Sequence, residues 1–213
     1  MRAAVVLILG ALAAARPAAA ADAISAPSGE ATRALQSRDA EIRAALPPPG
    51  GEVTPEVRKR IEAIVTKAVD LRGMAESALG PRWKQMTESQ RKRLVAAFEN
   101  RFRKLSGGEL DQYRSVEVKY DPEQPGPDGA VNVPTHVVVK GEPTEIAYTL
   151  RKQKDAWRIV DIAIDGASTV ENYRAAFARV INKDGVEGLI KKLESGAAGS
   201  KPAAGAAGKA APG

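Results

Sequence analysis

The stretch EIAYTLRKQKDAWRIVDIAI, residues 145–164, predicts two paired β-strands. Apolar side chains recur at every second position from Glu145 to Lys152, which is the period of a strand with one buried face. A second strand is predicted from Ala156 to Ile164. The link between them is too short for the crossover that parallel strands require, so we expect antiparallel pairing.

Two more strands are predicted before this pair. Val116 to Tyr120 alternates apolar with charged residues, and Val131 to Lys140 is a longer run that is bent at Pro134. The Pro and Gly residues between Asp121 and Gly129 mark the turn that joins them. Four consecutive strands with short links predict an antiparallel meander.

Helices are predicted on both sides of the strands. Helical runs precede the strands from Ser28 to Leu46, from Thr54 through Ala68, from about Asp70 to Leu79, and from a capping box at Thr87–Gln90 to Leu105. After the strands, a second capping box at Ser168–Glu171 starts a helix, and a last helix carries Val186 to Leu193. Helices, then a sheet, then helices predict an α+β fold in which the helices pack on one face of the sheet.

The two ends of the chain differ from the rest in composition. Residues 1–20 combine a positive start, a short apolar run and Ala18-Ala19-Ala20, which predicts a signal peptide, with an uncleaved anchor as the alternative. Residues 195–213 contain only Ser, Gly, Ala, Lys and Pro and predict a disordered tail. A single domain of residues 21–194 is left, in which no segment is apolar for long enough to span a membrane.

Charge and cysteine content argue against several function classes. Without Arg2, Arg16, Lys201 and Lys209, the formal charge of +6 falls to +2, and acids alternate with the remaining bases. We therefore expect no nucleic-acid partner. The chain has no cysteine, so a lipid cannot be attached to an amino-terminal Cys and no disulfide can form. If the source is a Gram-negative bacterium, the mature protein is expected in the periplasm.

Catalytic groups are scarce in this sequence. His136 is the single histidine and cannot build a multi-histidine metal centre. The motifs G-x-S-x-G, G-x-G-x-x-G and G-x-x-x-x-G-K-[ST] do not occur. We therefore expect no catalytic residues, no metal and no cofactor.

Asp161 is the one acid that stands out, because Val160 and Ile162 flank it within a predicted strand. Simple alternation places Asp161 on the same face as Trp157 and Ile159. A carboxylate desolvated in a pocket could serve as a general base. The structural alternative is that Asp161 pairs with an arginine or caps a neighbouring helix.

Arg91 interrupts the apolar stripe of the helix that begins near Gln90. At 100° per residue it falls in the middle of the stripe that includes Leu94 and Phe98. A guanidinium there could meet an anionic head group. The alternative is an arginine in the first turn that bonds to a backbone carbonyl or an acid.

The stretch GASTVENYR, residues 166–174, carries the strongest part of a family resemblance, together with Phe177. Gln90-Arg91 followed by Phe98, Phe102 and Tyr113, and Trp157 with Asp161 four residues on, belong to the same pattern. From Ile24 to Leu193 the chain resembles the MlaC (toluene-tolerance) family. Thr169, the loop at Gly107-Gly108 and the Ala/Gly tail depart from that pattern.

The resemblance implies a periplasmic carrier with an NTF2-like fold, in which phospholipid acyl chains lie in a cavity between a curved antiparallel sheet and helices. It also implies two partners, an outer-membrane lipoprotein complex and an inner-membrane ABC transporter complex with an MCE-domain subunit. Lipid would pass between the two complexes.

Such a carrier needs an apolar cavity, since each CH₂ group kept from water contributes about 0.8 kcal/mol. We expect this cavity between the sheet and the helix that begins near Gln90. Plain core packing is the alternative for every candidate residue. The candidate lipid-binding residues are Met74, Leu79, Trp83, Arg91, Leu94, Val95, Phe98, Phe102, Ile146, Tyr148, Leu150, Trp157, Ile159, Tyr173 and Phe177.

Three other functions stay open at the level of sequence. A carrier of a hopanoid or another polycyclic lipid would share all of these features. An NTF2-like enzyme would use Asp161 on a small apolar substrate. An adaptor protein would use the same apolar stripes only as core.

Overall fold

The computed structural model describes residues 29–48, 50–106, 110–113, 116–139 and 141–196. The predicted signal peptide, Gly107-Gly108 and all but the first two residues of the predicted tail lie outside this part of the chain. The described residues form an α+β fold, with helices before and after an antiparallel sheet, and this confirms the predicted fold class.

Four helices begin the described chain: α1 (Glu30–Ala45), α2 (Pro55–Ala68), α3 (Leu71–Leu79) and α4 (Pro81–Gln85). Side-chain caps begin two of them. Thr54 Oγ1 accepts a hydrogen bond from the Val57 amide at 3.4 Å, and Asp70 Oδ1 accepts one from the Gly73 amide at 2.8 Å. Gly80 has a φ of 55° and separates α3 from α4, a conformation that favours glycine over residues with a Cβ.

Two further helices precede the sheet: α5 (Glu88–Ser106) and the short α6 (Leu110–Tyr113). The predicted capping box is present at the start of α5. Thr87 Oγ1 accepts from the Gln90 amide at 3.2 Å, and Gln90 Oε1 accepts from the Thr87 amide at 3.0 Å. The start of α5 is therefore set by four consecutive residues.

The described sheet has six strands: β1 (Lys119–Tyr120), β2 (Gln124–Pro125), β3 (Val131–Val139), β4 (Glu142–Gln153), β5 (Ala156–Ile164) and β6 (Ala167–Ser168). Their order is β1-β3-β4-β5-β6, and β2 also pairs with β3. All strand pairs are antiparallel, so the predicted meander is confirmed. The predicted first strand, Val116 to Tyr120, is shorter than expected and pairs only at its last two residues.

A β-bulge interrupts the pairing of β4 with β5. Ile159 pairs with Leu150, whereas Asp161 pairs with the adjacent Thr149, so the residue between them in β5 is extra. Ile159 and Ile162 both face the same cavity although they are three positions apart. The prediction that Asp161 shares a face with Ile159 is therefore wrong. The bulge shifts the alternation of side chains in β5 by one residue.

One long helical element, α7 (Thr169–Glu194), ends the described chain. Ser168 Oγ accepts from the Glu171 amide at 3.1 Å, which is one of the two bonds of the second predicted capping box, and the Glu171 carboxylate pairs with Arg174. Gly185 has φ 68° and ψ −179°, so it breaks α7 into the two helical segments that the sequence predicts separately. No helix in the described ranges is both long and apolar enough to cross a membrane.

The buried apolar side chains that the structure describes form three clusters. The main cluster joins α3, α5 and α7 to the sheet at residues such as Val133 and Leu150. The strand cluster is small and lies around Val137 and Ile146. The N-terminal cluster joins α1, α2 and α6 around Ile61 and Leu110. Helix α5 packs on α2, α3 and α7, so it belongs mostly to a helical layer.

Candidate ligand-binding cavity

A cavity of about 180 Å³ lies where the three clusters meet. Helices α1 and α2 form one wall, and strands β3, β4 and β5 form the opposite wall. The remaining lining comes from α5, α6 and the residues that lead into β1. The lining residues are Leu35, Arg38, Asp39, Ile42, Ile61, Ile64, Val65, Ala68, Val69, Phe102, Leu110, Tyr113, Val116, Val118, Tyr120, Val137, Ile146, Tyr148, Ile159, Ile162 and Ile164.

The cavity wall is mostly aliphatic. Only five of the described lining residues carry a polar group: Arg38, Asp39, Tyr113, Tyr120 and Tyr148. Apolar cavities of about 150 Å³ stay dry and take up small apolar ligands. The wall is therefore suited to hydrocarbon, with polar groups supplied by α1, α6 and the two tyrosines of the sheet.

Asp39 joins α1 to the chain segment that leads into the sheet. Its Oδ1 accepts from the Tyr113 hydroxyl at 2.5 Å, and its Oδ2 accepts from Arg43 Nε at 2.7 Å. Arg43 also donates to the carbonyl oxygens of Tyr113 and Val116 at 3.3 and 2.8 Å. The charge of the carboxylate is thus compensated, and the arginine is fully engaged.

The three tyrosines of the cavity stay protonated at neutral pH. Burial and the negative charge of Asp39 raise the pKa of Tyr148 to about 12. Burial, and after it the hydrogen bond to Asp39, raises the pKa of the Tyr113 hydroxyl well above its usual range. Burial and the Asp39 charge raise the pKa of Tyr120 in the same direction. The cavity therefore presents neutral hydroxyls.

Four of the predicted lipid-binding residues line the cavity: Phe102, Ile146, Tyr148 and Ile159. Three of them come from the sheet, where period-two alternation identifies the buried face. The fourth, Phe102, lies near the end of α5 and is the one lining residue among the side chains of that helix that the structure describes. The cavity therefore lies under α1 and α2 and not, as expected, between the sheet and most of α5.

The other predicted apolar residues lie in the main cluster, away from the cavity wall. Phe98 is at its centre, with ring centroids 4.9 Å from Tyr173 and 6.1 Å from Phe177 in edge-to-face contacts. Their contact with a ligand stays a prediction. The buried members are Met74, Leu79, Trp83, Leu94, Phe98, Leu150, Tyr173 and Phe177, and Val95 and Trp157 are partly buried against them.

Arg91 bonds to the backbone of α4. Its Nε donates to the Trp83 carbonyl at 3.0 Å and its Nη2 to the Lys84 carbonyl at 3.1 Å, and the guanidinium lies 5.4 Å from the centroid of the Trp83 ring. These bonds match the alternative interpretation of Arg91, an arginine in the first turn that bonds to a backbone carbonyl. Arg91 is not on the cavity wall.

Asp161 caps the beginning of α7. Its Oδ1 accepts from the Val170 amide at 3.0 Å and from the Ile162 amide at 2.8 Å, and Ser168 Oγ donates to its Oδ2 at 2.5 Å. Of the two interpretations of Asp161, the structure therefore shows the helix cap. A carboxylate with these donors stabilises the helix N-terminus.

Metal-binding groups do not converge in the described ranges, where no three His, Asp or Glu side chains are placed to share an ion. His136 is exposed on β3, and its Nε2 lies 2.8 Å from Asp121 Oδ2.

The lining residues of α1 and α2 were not among the predicted site residues. A sequence signal for them exists, because Leu35 and Ile42 in α1 and Ile61, Ile64 and Val65 in α2 repeat at helical spacing. That spacing identifies the buried face of a helix. It does not distinguish a face that packs from a face that borders a void, because the difference depends on the opposite wall.

Known proteins resemble this chain in sequence and in fold. The structure is similar to that of a phospholipid-binding protein from Ralstonia solanacearum, solved in complex with a phospholipid, with a TM-score of 0.67 and 26% identity. The match covers 78% of this chain and 96% of the Ralstonia chain. No functionally curated protein matches the sequence. The family model described as MlaC protein matches residues 49–195, more than half of the chain, and the protein therefore belongs to the MlaC family.

Proposed function

We propose that the protein is a non-enzymatic phospholipid carrier that holds acyl chains in the cavity between the sheet and helices α1 and α2. The aliphatic lining of that cavity is the observation that carries the proposal. Membership of the MlaC family and the phospholipid complex of the similar Ralstonia protein support the same function.

The energetics favour hydrocarbon in this cavity. Each CH₂ group that leaves water for an apolar wall contributes about 0.8 kcal/mol, so long chains gain much more than short ones. The tyrosine hydroxyls are neutral and the Asp39 charge is compensated by Arg43, so no unpaired charge from these groups opposes an acyl chain.

The size of the cavity implies that loading enlarges it. About 180 Å³ is less than the roughly 300–1,000 Å³ of ordinary small-molecule sites, and a phospholipid is a large ligand. The wall can yield most easily where two clusters are separate. The N-terminal cluster of α1, α2 and α6 is distinct from the strand cluster on the opposite wall, so we expect the cavity to widen between these two clusters while the contacts at the ends of α1 are kept.

The proposed route runs through the periplasm, between an outer-membrane lipoprotein complex and an inner-membrane ABC transporter complex with an MCE-domain subunit. The predicted signal peptide and the family membership support this location and these partners.

A hopanoid or another polycyclic lipid is the alternative cargo, since an aliphatic wall accepts fused rings as well as chains. The enzyme alternative has less support, because the Asp161 carboxylate is occupied by the cap of α7 and Asp161 does not line the cavity.

Filling the cavity tests the proposal. Ile64→Trp adds bulk on the cavity wall, whereas Ile181→Trp adds the same bulk at a partly buried position of α7 that packs on the main cluster. Overpacking costs about 1–3 kcal/mol where the core is already filled, so we expect Ile181→Trp to lose stability in this range and Ile64→Trp, which enters a void, to lose less. We expect Ile64→Trp to lose most of its co-purified phospholipid, measured by mass spectrometry of an organic extract, and Ile181→Trp to retain it.

Vesicle-to-vesicle transfer of a fluorescent phospholipid by the purified proteins gives the second measurement. Wild-type protein without bound lipid and without transfer would contradict the carrier function. Equal loading of the two tryptophan variants would contradict the proposed cavity. Extraction of a polycyclic lipid in place of phospholipid would favour the alternative cargo.

A further inference from the structure

One cationic side chain stands apart from the others near the cavity. Arg38 of α1 is the only cationic residue among the described lining residues. It also reaches the solvent, since 40% of its side-chain surface is exposed. A residue that borders both an apolar cavity and water lies at the mouth of that cavity.

Two other arginines, Arg43 and Arg91, already have several hydrogen-bond acceptors within the protein. Arg43 is bound to the Asp39 carboxylate and to two backbone carbonyls, and Arg91 to the carbonyls of Trp83 and Lys84. A new ligand at either guanidinium would first have to break these bonds. Neither arginine lines the cavity.

Arg38, in contrast, has an ion pair that is easily exchanged. Its Nη1 lies 2.6 Å from Glu41 Oε1 on the next turn of α1, and the Glu41 side chain is 42% exposed. Exposed pairs of this kind are worth about 0–1 kcal/mol, because water solvates both charges. The adjacent Asp39 does not compete as an acceptor, since Arg43 and Tyr113 occupy it.

We propose that Arg38 binds the phosphate of the cargo at the mouth of the cavity. This inference rests on the proposed function and adds the orientation of the lipid to it. The acyl chains lie between α1, α2 and the sheet, and the phosphate lies beside α1 where the wall meets the solvent. A planar guanidinium suits this role because it offers two parallel donors to phosphate oxygens.

The test compares two lipids with identical acyl chains, phosphatidic acid and diacylglycerol, which differ in the phosphate. Binding from vesicles is measured for wild-type protein, Arg38→Ala, Arg38→Glu, Arg38→Lys and the control Arg60→Ala. Arg60 is exposed on α2 and does not line the cavity. Unchanged thermal unfolding of each lipid-free variant shows that the fold is kept.

For phosphatidic acid we expect Arg38→Ala to lose about three- to tenfold in affinity, as for one lost charge-assisted contact, and Arg38→Glu to lose more. Arg38→Lys should recover part of the loss, and Arg60→Ala should bind as the wild type does. Diacylglycerol should bind all variants equally. The effect on phosphatidic acid should shrink in high salt, because an exposed contact is screened.

Equal losses for both lipids, or no loss for phosphatidic acid, would overturn the role of Arg38 while leaving the carrier function intact. Failure of the wild-type protein to bind either lipid would overturn the carrier function itself. Inorganic phosphate serves as a separate competitor. Competition with phosphatidic acid in the wild type and not in Arg38→Ala would support a shared phosphate site at Arg38. Binding of inorganic phosphate to the wild type and not to Arg38→Ala, together with equal affinity of both proteins for phosphatidic acid, would show that Arg38 binds free phosphate and would overturn the lipid assignment.

Discussion

Tyr148 links the chemistry of the cavity to the stability of the protein. Its hydroxyl borders an apolar space, and burial together with the Asp39 charge makes the phenolate unfavourable in the folded state. In the unfolded chain the same group titrates near its ordinary pKa of about 10. The two states therefore bind protons differently at alkaline pH.

The difference predicts that Tyr148 destabilises the lipid-free protein as pH rises. Below about pH 10 Tyr148 is protonated in both states, and its contribution to the free energy of unfolding is fully present. Between about pH 10 and the folded-state pKa of about 12, the unfolded state releases the proton first. Up to about 3 kcal/mol of the free energy of unfolding is lost over this range. Urea unfolding of the wild type and Tyr148→Phe at several pH values measures this loss.

Tyr148→Phe removes the titrating hydroxyl and keeps most of the ring volume, so it is its own matched control. The stability of the variant should fall less steeply than that of the wild type above about pH 10. Parallel curves for the two proteins would show that Tyr148 does not differ between the folded and unfolded states.

Single residues show how far sequence alone can assign a role. Arg91 and Asp161 each had two interpretations at the level of sequence, and the contacts of both side chains match the structural alternative. The acceptors of Arg91 are backbone carbonyls of α4, an element that the sequence did not predict as a helix. The role of a polar side chain depends on such partners, and apolar periodicity does not reveal them.

At the scale of elements, α1 is fastened at both ends. Near its start, the Thr32 amide donates to Glu123 Oε1 at 2.8 Å, and Glu30 accepts from Lys152 Nζ at 2.7 Å. Near its end, Asp39 and Arg43 bind the segment that precedes β1. These contacts hold α1 over the cavity, with its apolar face toward the strands.

The cap of α7 gives a prediction at this scale. Asp161→Ala removes the acceptor of the Val170 amide, and we expect it to reduce the free energy of unfolding by about 1–2 kcal/mol. Asp161→Asn keeps an acceptor oxygen and should lose less. Chemical denaturation measures both effects, with Asp155→Ala in the exposed turn between β4 and β5 as the control.

At a temperature where Asp161→Ala is folded, phospholipid transfer should equal that of the wild type. Loss of transfer in a stably folded Asp161→Asn protein would be the contrary result, since it would give the carboxylate a direct part in function.

Elements with a local cause were predictable from sequence. The capping box at Thr87 and the N-cap at Ser168 set helix starts through residues three positions apart, and Gly185 breaks α7 where the sequence places a boundary. Strands β2 and β6 were missed. A strand of two residues has no periodicity, and it exists only because β3 or β5 supplies its partner.

At the scale of the whole molecule, the position of the cavity was the feature that sequence could not predict. The stripes of α1, α2 and α5 have similar apolar spacing, yet α5 packs against other helices and α1 and α2 border a void. The void lies where three clusters meet, and partly buried side chains such as Val65, Tyr148 and Ile162 each pack against two of them. That property belongs to the assembled chain, because it depends on how the clusters are placed relative to one another.

Lipid loading should change α1 and α2 more than the rest of the protein. We expect amide hydrogen exchange, measured by mass spectrometry on lipid-free and lipid-loaded protein, to differ in these two helices, because the cavity is too small for the cargo without their displacement. Exchange in α3 and α7 should stay the same and serves as the internal control.

The opposite pattern of exchange would indicate a different binding site. Changes in α3, α5 and α7, with α1 and α2 unaffected, would indicate that acyl chains enter the main cluster around Phe98. The residues predicted from sequence would then be the binding site.

The extra residue in β5 has an implication for how proteins of this fold can diverge. A bulge bends and twists its strand, and this one lies in the sheet wall of the cavity. Deleting Val160 would restore regular pairing and leave Ile159 and Ile162 pointing the same way, on a flatter surface. Insertion or loss of one residue could thus retune the depth of the chamber, and the girth of the molecule it accommodates, without exchanging any of its oily side chains.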